Sequence, residues 1–166
     1  MSRLLVDRYA AGGPLLSYAT AGLTPEQAAA RPGPGAWSIA ELVVHLMDAD
    51  LVMADRIKRV LAETNPTLQA FAEDAWQARF GALPMAEALA LLVASRRWIT
   101  RILESAADAD FARVGTHTQA GTLSLAALVA GAVGHVDHHL RFLYTKRGKL
   151  GCALAPHYAP QESAVR

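Results

Sequence analysis

Gly134-His135-Val136-Asp137-His138-His139-Leu140 is the stretch on which the reading of this chain turns. It closes an Ala/Leu/Val/Gly-rich run without strand-like alternation, so the stretch is read as helix. Residues four apart share one helix face, about 6 Å from each other. His135 and His139 therefore offer two imidazoles to one point, which can hold one metal ion. A third imidazole from a facing helix would leave coordination positions open, the arrangement of a catalytic rather than a structural site. His45, on another helix, is the candidate for that third ligand. A single histidine on an apolar face is usually an ordinary core or boundary residue. Three within five positions of such a helix are costly to bury without a partner. His138 could replace His139 as ligand, or face solvent or a substrate cavity.

This grouping makes a demand on the fold. His45 follows Ser38 by seven residues, roughly 10 Å into its helix, and His139 precedes Arg147 by eight, roughly 12 Å from the end of its own. The two sites lie at nearly the same height if the helices are antiparallel. They miss by about 10 Å if the helices are parallel.

Helical periodicity dominates the rest of the chain, with no repeat and no low-complexity tract. The first helix is expected over residues 3–21, kinked or cut in two at Gly12-Gly13-Pro14. Thr24-Pro25-Glu26-Gln27 reads as a capped turn, stopped by the Pro/Gly-rich segment Arg31 to Trp37. Ser38 with Glu41 forms a second capping box, opening a helix that runs to about Glu63. Asn65-Pro66 is read as the cap of a shorter helix reaching Phe80. A third long helix spans about Pro84 to Ser105, the segment 108–121 is read as loop, and a fourth long helix spans about Ser124 to Arg147. The expectation is all-α: a four-helix bundle domain over residues 1–151, with a short extra helix in the long crossover between its second and third helices, and an irregular tail over 152–166.

Composition narrows the function. The 166 residues suffice for one domain with its own core, and 16 Lys+Arg against 15 Asp+Glu give a net charge of +1. Such a balance gives no pull toward nucleic acid or membrane. Cys152 is the single cysteine and fits a reducing compartment. The N-terminus has no signal-like apolar core, and the most apolar run, 123–136, is too short to span a bilayer. A cytoplasmic protein with a small-molecule substrate is expected.

Other residues are candidates of lower rank. Asp48, one turn after His45, could orient an imidazole, be a fourth ligand or act as a base, against the plain reading of a partly exposed helix carboxylate. Trp37 is the candidate wall of a substrate pocket, whereas Trp98 is assigned to the core. Arg96, Arg97 and Arg101 are read as a solvated basic face, and Asp137 as solvated. His117 and His157 show no partner in sequence.

Pro34-Gly35-Ala36-Trp37-Ser38-Ile39, Glu41, His45-Leu46-Met47-Asp48, Gly121-Thr122-Leu123 and the pair His135 and His139 occur together, in this order, across nearly the whole chain. In this the chain resembles the DinB-like superfamily of metal-binding four-helix proteins, related to thiol-dependent transferases and maleylpyruvate isomerase. The resemblance implies an up-down-down-up bundle and a metal triad of His45, His135 and His139 holding nickel, zinc or a similar divalent ion. It also implies a low-molecular-weight thiol, such as mycothiol or bacillithiol, as cosubstrate in S-transfer or isomerisation of a small electrophile. Many relatives follow the last histidine with Arg-Gly-Gln; here Leu140-Arg141-Phe142 stands there. The alternative is a non-catalytic metal- or ligand-binding bundle, which a homodimer through an apolar helix face would suit.

Overall fold

The computed structural model describes residues 2–158. Its elements in chain order are α1 (Ser2–Thr20), α2 (Pro25–Ala29), α3 (Ile39–Ala62), β1 (Thr67–Leu68), α4 (Glu73–Phe80) and α5 (Met85–Ser105), then a 3-10 turn (Asp108–Ala112), β2 (Val114–His117), β3 (Gly121–Ser124) and α6 (Leu125–Lys149). The local start signals act as the sequence predicts. Thr24 and Ser38 each accept from the backbone three residues on, while Gln27 and Glu41 reach back to the cap N–H, so α2 and α3 begin on complete capping boxes.

Two core layers define how α1, α3, α5 and α6 run. One layer joins Val6 and Tyr9 of α1, Ile57 and Val60 of α3, Ile99 and Leu103 of α5, and Leu125 to Val133 of α6. The other joins Leu16 and Ala19, Leu42 to Leu46, Ala88 and Leu92, and Val136 to Tyr144. Going from the first layer to the second, α1 and α6 ascend in number while α3 and α5 descend. The bundle is therefore up-down-down-up, with α3 and α6 antiparallel neighbours.

Three expectations are corrected. The first helix is not cut: α1 continues through Pro14. Gly12 and Gly13 serve close packing instead, since a Cβ on Gly12 would come within 2.1 Å of Arg96 Nη1 and one on Gly13 within 3.5 Å of Val93. Secondly, Pro66 does not begin a helix. Asn65 takes a left-handed φ of 46°, the Pro66 carbonyl accepts from Thr116 N–H, and β1 pairs in parallel with β2. Helix starts only at Glu73. Thirdly, the segment 108–121 holds structure of its own: β2 and β3 form an antiparallel hairpin in register Val114↔Ser124, giving a three-stranded sheet. The fully buried Leu68 ties that sheet to the core, and Gly115 leaves it room.

The basic face on α5 is also revised. Trp98 is 62% exposed, while Arg96 is buried and forms an ion pair with Asp50 at 2.8 Å. Arg96 also donates to the Tyr9 and Ala132 carbonyls and lies 4.5 Å from the Tyr9 ring centroid. The segment 152–158 has no regular structure but packs back on the bundle. The Tyr144 hydroxyl bonds the His157 backbone, and Tyr18 stacks on the His157 ring at 4.3 Å. Residues 159–166 of the expected tail lie outside the described residues. Among the described residues no helix is long and apolar enough to cross a membrane.

Arg96→Leu strands a buried carboxylate, so it should lower the unfolding free energy by about 3–5 kcal/mol in urea titrations, and an apolar replacement of both partners should recover most of that loss. Gly12→Ala should cost about 1–3 kcal/mol through the same guanidinium.

Candidate metal centre

His45 stands in the second turn of α3, and His135 and His139 stand at mid-length of α6. The antiparallel packing brings the two heights together. His45 Nε2 lies 3.1 Å from His135 Nε2, and His139 Nε2 lies 3.0 Å from His135 Nε2. One ligand atom from each residue falls within a common span of 4.8 Å. A tetrahedral ion with metal–nitrogen bonds of about 2.0–2.1 Å separates its nitrogens by about 3.3–3.4 Å. The two separations fall a few tenths of an ångström short of that, and three imidazole nitrogens are a donor set that fits a divalent transition-metal ion.

Of the two candidates on α6, His139 rather than His138 joins the convergent group. His138 is exposed and stands edge-on to His139 and Phe142, with ring centroids 5.1 and 4.8 Å away, outside the convergent set. Trp37 lies against His45 with ring centroids 5.2 Å apart. With Leu42, His139, Phe142 and Lys146 it walls a cavity of about 210 Å³. Lys146 Nζ donates to the Trp37 carbonyl at 2.5 Å and pins this loop to α6. Asp48 is buried rather than partly exposed, yet bonds to none of the three histidines. Burial pushes its carboxyl up from the ordinary value, and the nearby His45 opposes that shift. Asp137 pairs with Arg8 of α1 at 3.1 Å. His117 Nδ1 accepts two backbone N–H groups in the hairpin and is remote from the cluster in role.

Glu73 is a residue beside the cluster that sequence reasoning missed. The first residue of α4 places Oε1 3.7 Å from His45 Nε2, with its side chain half exposed. An acid in the first turn of a helix is ordinary dipole complementation, and only the path of the crossover brings this one to the cluster. Gln77, one turn on, donates to the Glu41 carbonyl and docks α4 against α3. Glu73 and His135 share a second cavity of about 170 Å³ with Leu46, Met53, Arg56 and Phe71.

The environment keeps the imidazoles neutral. Burial lowers the pKa of His135 to about 4 and of His139 to about 3, with the neighbouring histidines adding to the effect. Burial also lowers His45, against the pull of Glu73 and Asp48. Neutral imidazoles are the form that binds metal. In the unfolded chain these groups titrate near 6.5, so as pH falls below that value the unfolded state takes up protons that the folded state refuses. Stability of the metal-free protein should therefore fall from pH 7.5 to pH 5, by at most about 1.4 kcal/mol per pH unit for each excess proton. Thermal unfolding at the two pH values checks this, and His135→Gln should show the smaller drop.

Known proteins share this chain's sequence pattern and fold. The family model of the DinB superfamily matches residues 10–143. A protein of Geobacillus kaustophilus, named "Putative metal-dependent hydrolase", is 34% identical over 139 residues, covering 82% of this chain and 78% of that protein. One of Bacillus mycoides with the same designation is 28% identical over 118 residues, covering 70% and 68%. Among solved structures, YfiT from Bacillus subtilis superposes with a TM-score of 0.83 at 22% identity, over 90% of this chain and 87% of that one, and is described as having an unusual four-helix bundle topology. On its sequence, its fold and the convergence of His45, His135 and His139, the chain belongs to the DinB superfamily.

Proposed function

We propose that this chain is a divalent-metal-dependent enzyme in which His45, His135 and His139 hold nickel or zinc, and that it transfers a low-molecular-weight thiol to a small electrophile or isomerises one by thiol addition. The observation that carries the reading is the meeting of three imidazoles, with the half-exposed carboxylate of Glu73 3.7 Å from one of them. A divalent cation in such a site makes a thiol or water acidic enough to ionise near neutral pH.

The residues around it have separate tasks. Glu73 Oε1 accepts the proton of the nucleophile, for which its half exposure also provides an exit to solvent. Trp37, Leu42 and Phe142 supply an apolar wall that orients the electrophile and thins out water on the His139 side. Lys146, in the same wall, offers a positive charge to an anion that develops during the addition. Leu140-Arg141-Phe142 stands where many relatives carry Arg-Gly-Gln, so the polar groups of that run are missing or moved, and Lys146 is a cation that lines the wall here.

Hydrolysis is the second reading. The name carried by the Geobacillus kaustophilus relative favours it, and Glu73 would serve water as it serves a thiol.

Elemental analysis of protein purified without a histidine tag should find near one equivalent of nickel or zinc, lost in His45→Ala and in His135→Ala. With bacillithiol or mycothiol present, the loaded protein should then consume monobromobimane or 1-chloro-2,4-dinitrobenzene faster than the same thiol does alone or with the metal-free protein. Glu73→Gln should retain the metal and lower kcat by about 10²-fold or more. Thiol-independent cleavage of 4-nitrophenyl acetate, with no thiol transfer, would select the hydrolytic reading. A protein that takes up no metal would refute both.

A further inference from the structure

Arg56 differs from the other cations on α3. Arg59, nearly one turn further on, is paired with Asp55 at 2.9 Å and with Glu63 at 3.3 Å. Arg56 has no carboxylate within ion-pair distance among the described residues. Only its Nη2 has a protein partner, the Gln69 carbonyl at 2.5 Å, and its Nε is buried with none. Burial lowers this guanidinium below its ordinary value, and the charge of Asp55 offsets the effect only in part. A partly buried guanidinium left in this state is a cation whose desolvation is not matched by a counter-charge.

Its location supplies the missing partner's address. Arg56 and Phe71 line the 170 Å³ cavity that also contains Glu73 and His135. The same two residues line an adjoining groove of about 710 Å³, together with Gln69, Ala72 and Trp76. Phe71 and Trp76 meet edge to face with ring centroids 5.4 Å apart, so the groove has an aromatic wall next to its cation. The smaller space corresponds to about half a dozen water molecules, enough for a carboxylate and a short reactive fragment.

We propose that Arg56 is a substrate-binding residue, taking the carboxylate of an anionic substrate whose planar or apolar body lies along Phe71 and Trp76 and whose reactive end reaches the cavity of His135 and Glu73. The inference rests on the metal-dependent reading, for which it names the substrate class. Guanidinium and carboxylate match in geometry as well as charge, and a charge-assisted pair in a half-buried site is stronger than a neutral hydrogen bond. Arg59 lines the groove too, but its two acids already occupy it.

The test uses the metal-free full-length protein, so that no carboxylate can be held by a cation at the histidines. Benzoate and its uncharged isostere benzamide are titrated against it by calorimetry and by the shift of the Trp76 indole N–H signal. Benzoate should bind at least about tenfold more tightly than benzamide. Arg56→Gln should erase that preference, Arg56→Lys should keep part of it, and Arg59→Gln should leave it unchanged. Equal affinity for the two probes in the parent protein, no saturable benzoate binding, or a preference that survives Arg56→Gln would each overturn the proposal. A benzoate preference in a protein that takes up no metal would uphold the anion site while the metal-dependent reading falls.

Discussion

The guanidinium of Arg96 touches every long helix of the bundle. It sits on α5, pairs with Asp50 of α3, and donates to a carbonyl of α1 at Tyr9 and of α6 at Ala132. Asp50 lies five residues after His45, and Ala132 lies three before His135. One buried side chain therefore fixes the height of α3 against α6, on which the meeting of the imidazoles depends. A buried ion pair is a weak source of net stability, because removing both ions from water offsets most of their attraction. Its effect is on register: a slip of one helix by a turn, about 5.4 Å, breaks several charge-assisted bonds at once. Gly12 belongs to the same device, since any side chain there would occupy the space of Nη1.

A fixed register explains how the cluster tolerates its own electrostatics. Three imidazoles within hydrogen-bond distance, largely removed from water, cannot all carry protons, and burial moves His135 and His139 far below the ordinary histidine range. The cost of that arrangement in the metal-free state is borne by the apolar layers on either side, which bury Ile57, Val60 and Leu128 on one side and Leu42, Leu46 and Leu140 on the other. The site is stiff on the bundle side and open on the side of α4 and the loop before α3. Glu73 and Trp37 belong to those more exposed elements and can change without disturbing the histidines.

What the sequence disclosed divides by range of interaction. Capping boxes at Thr24 and Ser38 and the four-residue spacing of His135 and His139 are local patterns, and each is found in place. The height match between His45 and His139 needed only helix rise and one assumption of direction, which the core layers bear out. The strands escaped because β1 has two residues and β2 and β3 four each, too short for alternation to register, and β1 is joined to β2 across some fifty residues. The opposite fates of Arg96 and Trp98 show a different limit. Arg96 falls on the stripe of Leu92, Ile99 and Leu103, and that position was the available sign of burial. Residue type suggested the reverse, because the compensating acid is 46 residues away.

Glu73 and Arg56 show most clearly how this family fold can acquire a particular chemistry. Neither belongs to a motif: Glu73 comes from α4, and Arg56 lies about three turns beyond His45 on the same side of α3. Both depend on the crossover between α3 and α5: Glu73 opens its helix, and Arg56 of α3 donates to the Gln69 carbonyl within it. The crossover packs on α3 through few buried side chains, Leu68 at its start being fully enclosed and α4 having none. Its sequence is therefore lightly constrained by folding, whereas the histidine helices are constrained by both core and cluster. Substitution within the crossover changes the groove lined by Phe71 and Trp76 and the carboxylate of Glu73 while leaving the three histidines where they are. In a scaffold of this kind the bundle sets the positions of the three imidazoles, and the crossover sets which side chains face them.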